Sequence, residues 1–134
     1  MEFRLWLEQK MRTEWEIKTN MVHSKEIMPK IDKKRIKEFL HLSRNDARLT
    51  TRFVTGHGAF KKHLFNLKIS SEDRCRLCKV EKETSRHLLC ECDALAVRRF
   101  KLFGKSELEL VELSNVPFRD LIKFVRHKEI INNI

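Results

Sequence analysis

Four cysteines and a histidine fall within eighteen consecutive residues, Cys75 to Cys92, in a chain of 134 residues that holds no other cysteine. No other feature of the sequence constrains the fold as strongly. Cys75-x2-Cys78 is the spacing at which a tight turn directs two thiolates at one ion. His87 comes eight intervening residues later and Cys92 four after that, so Cys-x2-Cys-x8-His-x4-Cys supplies three sulfurs and one imidazole. That donor set suits one tetrahedral Zn2+. Four protein ligands leave no open position for an activated water, so the expected site is structural. Spacing alone leaves the fourth ligand open. On a helix over 84–91, Cys90 shares a face with His87; Cys92 stands nearer the helix end, where the chain can swing it toward the turn. Cys92 is the favoured ligand, with Cys90 then a small buried thiol. A disulfide needs an oxidising setting that nothing else here implies.

The rest of the chain must build a small core around this insert, and its composition points to helices. Only 3 Gly and 2 Pro occur, too few for a turn-rich sandwich or barrel. Phe3, Leu7, Met11 and Trp15 recur every four residues with Trp6 beside them, which predicts an amphipathic helix over 3–17 with both tryptophans packed inward. Residues 19–32 lose that period, contain Pro29 and read as a loop. Ile36, Phe39 and Leu40 predict a helix over 33–42. Ser43 with Asp46 starts another that Gly56 ends after Thr55. A further helix follows from about Ala59, with Phe60, Leu64 and Leu67 inward. Downstream, 93–103 is helical with Gly104 as its stop, 107–113 is a weaker helix, and Pro117 opens a helix whose Phe118, Leu121, Ile122 and Val125 form one face. The predicted architecture is a small all-α domain with a CCHC zinc knuckle inserted between helices. An N-terminal amphipathic helix and loop occupy 1–32, a basic helical zinc-binding domain occupies 33–134, and the two form one compact unit.

Charge narrows the partners. The formal net charge is +10, and residues 30–68 carry eleven Lys or Arg against three acids. A concentrated basic face attracts polyanions by counterion release, which makes RNA or DNA the expected partner. Arg44, Arg48 and Arg52 repeat every four residues, and Lys61 and Lys62 follow on the next helix. Arg74 and Arg76, with Lys79 and Arg86, surround the cysteines, where they offset thiolate charge or reach phosphate. No apolar run approaches the length of a membrane span, and the N-terminal residues lack the apolar stretch of a secretory signal.

The stretch Leu49–Leu67 followed by Cys75–Cys92 resembles the C-terminal tail of insect-type non-long-terminal-repeat retrotransposon polyproteins. The matching elements are Leu49-Thr50, Thr55-Gly56-His57-Gly58, Cys75 and Cys78, Glu83-Thr84 with His87, and Glu91-Cys92. The likeness is strongest over 49–104. Relatives often carry a bulky apolar residue at the position of Cys90, which favours Cys92 as ligand; proline commonly follows the last cysteine, and here it is Asp93. The resemblance implies a tail downstream of reverse transcriptase and RNase H domains, present as a fragment, a truncated copy or a repurposed reading frame. It also implies possible docking on those upstream domains and, with the free thiols, an intracellular location, nuclear or cytoplasmic.

The chain itself has no Tyr, hence no Tyr-x-Asp-Asp polymerase element. Its five scattered Asp make no two-metal carboxylate set. The expectation is therefore a non-catalytic module. His57, in the most family-like element, is read as a helix-terminus histidine within the Gly56–Gly58 turn, with nucleic-acid contact as the alternative role and a hydrolytic base, with His63, as the remote one.

Overall fold

The computed structural model describes residues 2–17 and 21–131. Helices α1 (Glu2–Ile17), α2 (Val22–Ile27), α3 (Lys33–Leu40), α4 (Arg44–Thr55) and α5 (Lys61–Asn66) precede the cysteine segment. After it come α6 (Ala96–Phe103), α7 (Phe118–Val125) and α8 (Lys128–Ile131). A π-helical turn (His87–Glu91) and a 3-10 turn (Asp93–Leu95) lead into α6, and a second 3-10 segment (Leu110–Asn115) leads toward α7. Among the described residues extended pairing is limited to one isolated bridge, Arg74 with Lys82. The fold is all-α, as the scarcity of Gly and Pro implies.

Local chemistry sets the helix ends. Ser43 Oγ accepts from the Asp46 amide at 3.2 Å and caps α4, while Asp32 Oδ1 accepts from the Lys34 amide at 2.8 Å and caps α3. Gly56 and Gly104 follow α4 and α6 at φ of 74° and 81°, left-handed conformations that cost a side-chain-bearing residue far more. The core joins α4 to α7 and the cysteine segment. Phe53 meets Phe60 edge-on at 5.2 Å, Phe103 meets Phe124 at 5.3 Å, and Leu88, Leu89 and Leu95 are buried beside them. All four face residues predicted on α7 are buried.

Three expectations fail for identifiable reasons. The segment expected to be a loop contains α2, whose Ile27 is wholly buried and which packs between α4 and the Leu110–Asn115 segment; a six-residue helix is too short to display a period. Residues 19 and 20 of that segment lie outside the described residues. Helix α1 forms as expected but buries nothing. Its outer face carries Phe3 and Trp6, stacked at 5.9 Å and both more than half exposed, so Trp6 is not a core residue. Helix α1 docks instead through polar anchors, with Trp15 Nε1 donating to Met28 O at 3.0 Å and Lys33 pairing with Glu8 at 3.1 Å. Finally, Ile36, Leu40 and Leu67 are exposed, while Arg35 and Arg99 are buried. Helix α3 is narrower in its contact than its apolar stripe, leaving Phe39 to pack on Phe118 at 6.1 Å.

Candidate metal centre

The Cys75–Cys78 turn is built by backbone pairing. The Cys75 amide donates to Glu81 O at 2.7 Å, the Glu83 amide to Asp73 O at 2.8 Å, and the Lys79 amide to Cys75 O at 2.9 Å. Lys79 sits at φ 59°, which reverses the chain within the turn at a cost glycine would avoid. Both sulfurs thereby face one point. The other two donors come from the π-turn, closed by the Cys92 amide donating to His87 O at 2.7 Å.

The donor atoms of Cys75, Cys78, His87 and Cys92 all lie within 4.8 Å of one another. Cys75 Sγ and Cys92 Sγ are 3.9 Å apart, and Cys78 Sγ lies 3.3 Å from His87 Nε2. A tetrahedral ion with the usual bond lengths requires about 3.8 Å between sulfurs and about 3.6 Å between sulfur and nitrogen. The four residues can therefore hold one metal ion. Cys90 is not among them: it is fully buried in the apolar core, and burial pushes its thiol up to about 12. The wider π-turn rotates Cys90 away from His87 and brings Cys92 round to it.

Protonation follows the same geometry. A hydrogen bond from Cys92 holds the Cys75 thiol far below its ordinary range, at about 3, against the opposing effect of burial. Cys92 is pushed upward, first by that shared hydrogen bond and then by burial. Contact with Cys75, opposed by burial, raises His87 to about 8. A bound dication therefore competes with the proton that Cys75 and Cys92 share and with the proton on His87. Metal entry at pH 7 must expel at least these two protons, so affinity is expected to fall about a hundredfold or more for each unit the pH is lowered from 7. Chelator competition at pH 7 and pH 6 measures this; a tenfold change or less would contradict it.

Outer partners fix the ligands. The His87 amide donates to Thr84 Oγ1 at 3.0 Å, and buried His87 Nδ1 has no hydrogen-bond partner among the described residues but lies 4.0 Å from Glu91 Oε2, the kind of carboxylate that orients a metal-bound imidazole. Glu83 is wholly buried. Its carboxylate accepts from the Arg76 amide at 2.9 Å, the Arg76 guanidinium at 2.8 Å and the Lys61 amide at 3.0 Å. It thus caps α5, which has no side-chain cap of its own, and ties that helix to the knuckle. Ser85 Oγ donates to Phe53 O at 2.6 Å, tying the knuckle to the end of α4 as well.

Arg99 carries no role in the sequence reading, yet it is the largest fully buried side chain. It donates from Nε to Ser106 O at 2.6 Å, from Nη1 to Leu88 O at 3.2 Å, and from Nη2 to the Cys92 carbonyl. Burial lowers its pKa while the Cys92 and Cys90 sulfurs act to raise it. No sequence signal marks it, since the same helix leaves Val97 and Phe100 exposed.

No protein-family model, curated protein or solved structure matches the chain.

The remaining sequence-predicted residues separate by environment. Arg44, Arg48 and Arg74 are exposed. Lys61 pairs with Glu72 at 2.6 Å and Lys62 approaches Asp73 at 3.8 Å, while Arg76 is engaged with Glu83 and with Ala59 O at 2.9 Å; Arg52 is half-buried at the end of α4. The Thr55-Gly56-His57-Gly58 element is a turn. The His57 amide donates to Thr55 Oγ1 at 3.3 Å, and a Cβ on Gly58 would sit 3.1 Å from the Phe60 ring and 3.3 Å from Arg52 Cβ. The His57 ring is exposed and meets His63 edge-on at 5.6 Å.

Proposed function

We propose that the chain is a non-catalytic, zinc-stabilised module that binds RNA or DNA through a basic face, of the kind its likeness to retrotransposon polyprotein tails implies. The observation that carries the zinc reading is the set of three sulfurs and one imidazole whose donor atoms lie within 4.8 Å of one another, with Cys75–Cys92 at 3.9 Å and Cys78–His87 at 3.3 Å. Soft thiolates with one imidazole select zinc over harder ions, and the closed sphere assigns the ion to structure. The ion holds the knuckle against α4 and α5, and with it the basic side chains those helices carry.

The nucleic-acid reading is supported by Arg44 and Arg48 on α4, exposed and without an ion pair to any described residue. Lys61, Lys62 and Arg74 extend the same basic character toward the knuckle. Contacts of this type go to phosphate, so affinity rather than sequence preference is what they supply. Binding of a DNA duplex is expected to weaken steeply with salt, and Arg44→Gln with Arg48→Gln is expected to reduce the slope of log K against log salt by about 2. Zinc content serves as the folding control. Salt-insensitive association would instead favour a second reading, docking of the exposed Phe3–Trp6 face of α1 on a protein such as an upstream polymerase or RNase H domain.

A further inference from the structure

A groove of about 270 Å³ runs between α3 and α4, walled by Ile36, Leu40 and Val54 and floored by Met28, Phe39 and Phe118. Leu40 is 73% exposed and Ile36 39%; beside a concave apolar floor such residues form an anchor site rather than scattered surface contacts. Ile36 also lines a second depression of about 280 Å³ between α1 and α3, together with Arg4, Glu8, Met11, Arg12, Lys33 and Lys37. The groove's α4 bank presents Thr51 and Thr55, and Arg44 and Arg48 lie one turn or two before them on the same face of that helix.

The charge left unpaired around the groove is basic. Lys37, Arg44 and Arg48 have no ion pair with a described residue, whereas Glu38 accepts from the Arg119 amide at 3.3 Å, Asp46 pairs with Arg126, and Glu8, which lines the second depression, is paired there with Arg4 and Lys33. Arg35, in the groove wall, is buried over the Phe118 ring at 4.2 Å and donates to Ser114 O and Val116 O, so it shapes the apolar floor and does not meet a ligand.

We propose that this groove docks an acidic amphipathic helix of a partner protein, its apolar anchors seated on Ile36, Leu40 and Val54 and its carboxylates on Lys37, Arg44 and Arg48. A channel between two helices receives a third by ridge-into-groove packing, read as anchors at i, i+3, i+4 and i+7. Nucleic acid fits this floor less well: Phe118 is 1% exposed and Arg35 covers its face at 4.2 Å, so that ring offers no platform for a base to stack on.

The test uses the full chain with its metal and a fluorescent peptide of roughly 16 residues, long enough to hold helix, with Leu at i, i+3, i+4 and i+7 on a Glu background. Controls are a scrambled peptide of equal charge and a single-stranded oligonucleotide. The designed peptide is expected to bind at least tenfold more tightly than the scramble. Leu40→Lys is expected to weaken the peptide about 10- to 100-fold, although it adds a positive charge, and to leave the oligonucleotide unchanged or tighter. Lys37→Glu with Arg48→Glu is expected to weaken the peptide as well; all three side chains are exposed, and metal content verifies folding. Equal binding of the scramble, indifference of the peptide to Leu40→Lys, or a loss of oligonucleotide binding on Leu40→Lys that parallels the loss of peptide would overturn the proposal. Self-association of the chain that Leu40→Lys abolishes would overturn it too, by assigning the groove to a second copy.

Discussion

Chelation of the metal is expected to unfold the domain at 25 °C, and Zn2+ alone is expected to restore it. A structural zinc site contributes about 10–16 kcal/mol of apparent binding free energy, against a net stability of about 5–15 kcal/mol for a domain. Here the ligands are part of the core: Cys75 and Cys92 are buried in one cluster with Leu88, Leu89 and Leu95. Without the ion that cluster retains a thiolate on Cys75 and a raised His87, charges that burial opposes. Cys75→Ser and Cys92→Ser are expected to behave like the stripped protein. Cys90→Ala is expected to keep one metal per chain and to lose only about 1 kcal/mol, the cost of a small core vacancy. Metal stoichiometry together with thermal melts checks all four. A metal-free chain that still melted cooperatively within a few degrees of the loaded one would refute the structural role.

How much of this was legible in the sequence depends on the range of the interaction concerned. The Cys-x2-Cys turn, the Ser43 cap, the Gly56 and Gly104 stops and the α7 face are local signals, and each stands where the spacing places it. The choice between Cys90 and Cys92 was not local in the same way. Helical periodicity places Cys90 beside His87, and only the π-turn, with its amide of Cys92 on His87 O, reverses that geometry. Helix α1 shows the complementary failure. Its apolar stripe is genuine, but periodicity reports which residues share a face and not what covers it, and Phe3 and Trp6 remain exposed. Glu83, Arg35 and Arg99 were illegible as buried groups because charged side chains are assigned to the surface by default. Their burial rests on bonds outside the helical repeat, from neighbouring turns for Glu83 and Arg99 and, for Arg35, from the distant Ser114 O and Val116 O at 3.0 and 2.8 Å from Nη1.

Arg99 supplies the second large effect, and it tests whether the centre is balanced from within. Three thiolates and a dication sum to a charge of −1, placed in a core that cannot solvate it. The basic residues flanking the cysteines are poorly situated to neutralise it: Arg76 is engaged by Glu83, Arg86 pairs with Glu91 at 3.0 Å on the surface, and Arg74 and Lys79 are exposed. Arg99 is wholly buried and bonded to the carbonyl of the ligand Cys92. Arg99→Met is therefore expected to remove a buried donor from the carbonyls of Ser106, Leu88 and Cys92, the last of which keeps the Leu95 amide at 3.1 Å, at a cost of about 1–3 kcal/mol for a carbonyl left unpaired, and to weaken metal binding besides. Arg99→Lys keeps the charge but not the planar fork, so it is expected to recover metal affinity more fully than stability. Chelator competition and denaturant melts on the two variants separate these contributions. If both variants lost affinity equally, Arg99 would be a clamp on three carbonyls and its charge irrelevant to the centre; a larger affinity loss in Arg99→Met identifies the guanidinium as the counter-ion that lets three thiolates remain ionised inside so small a core.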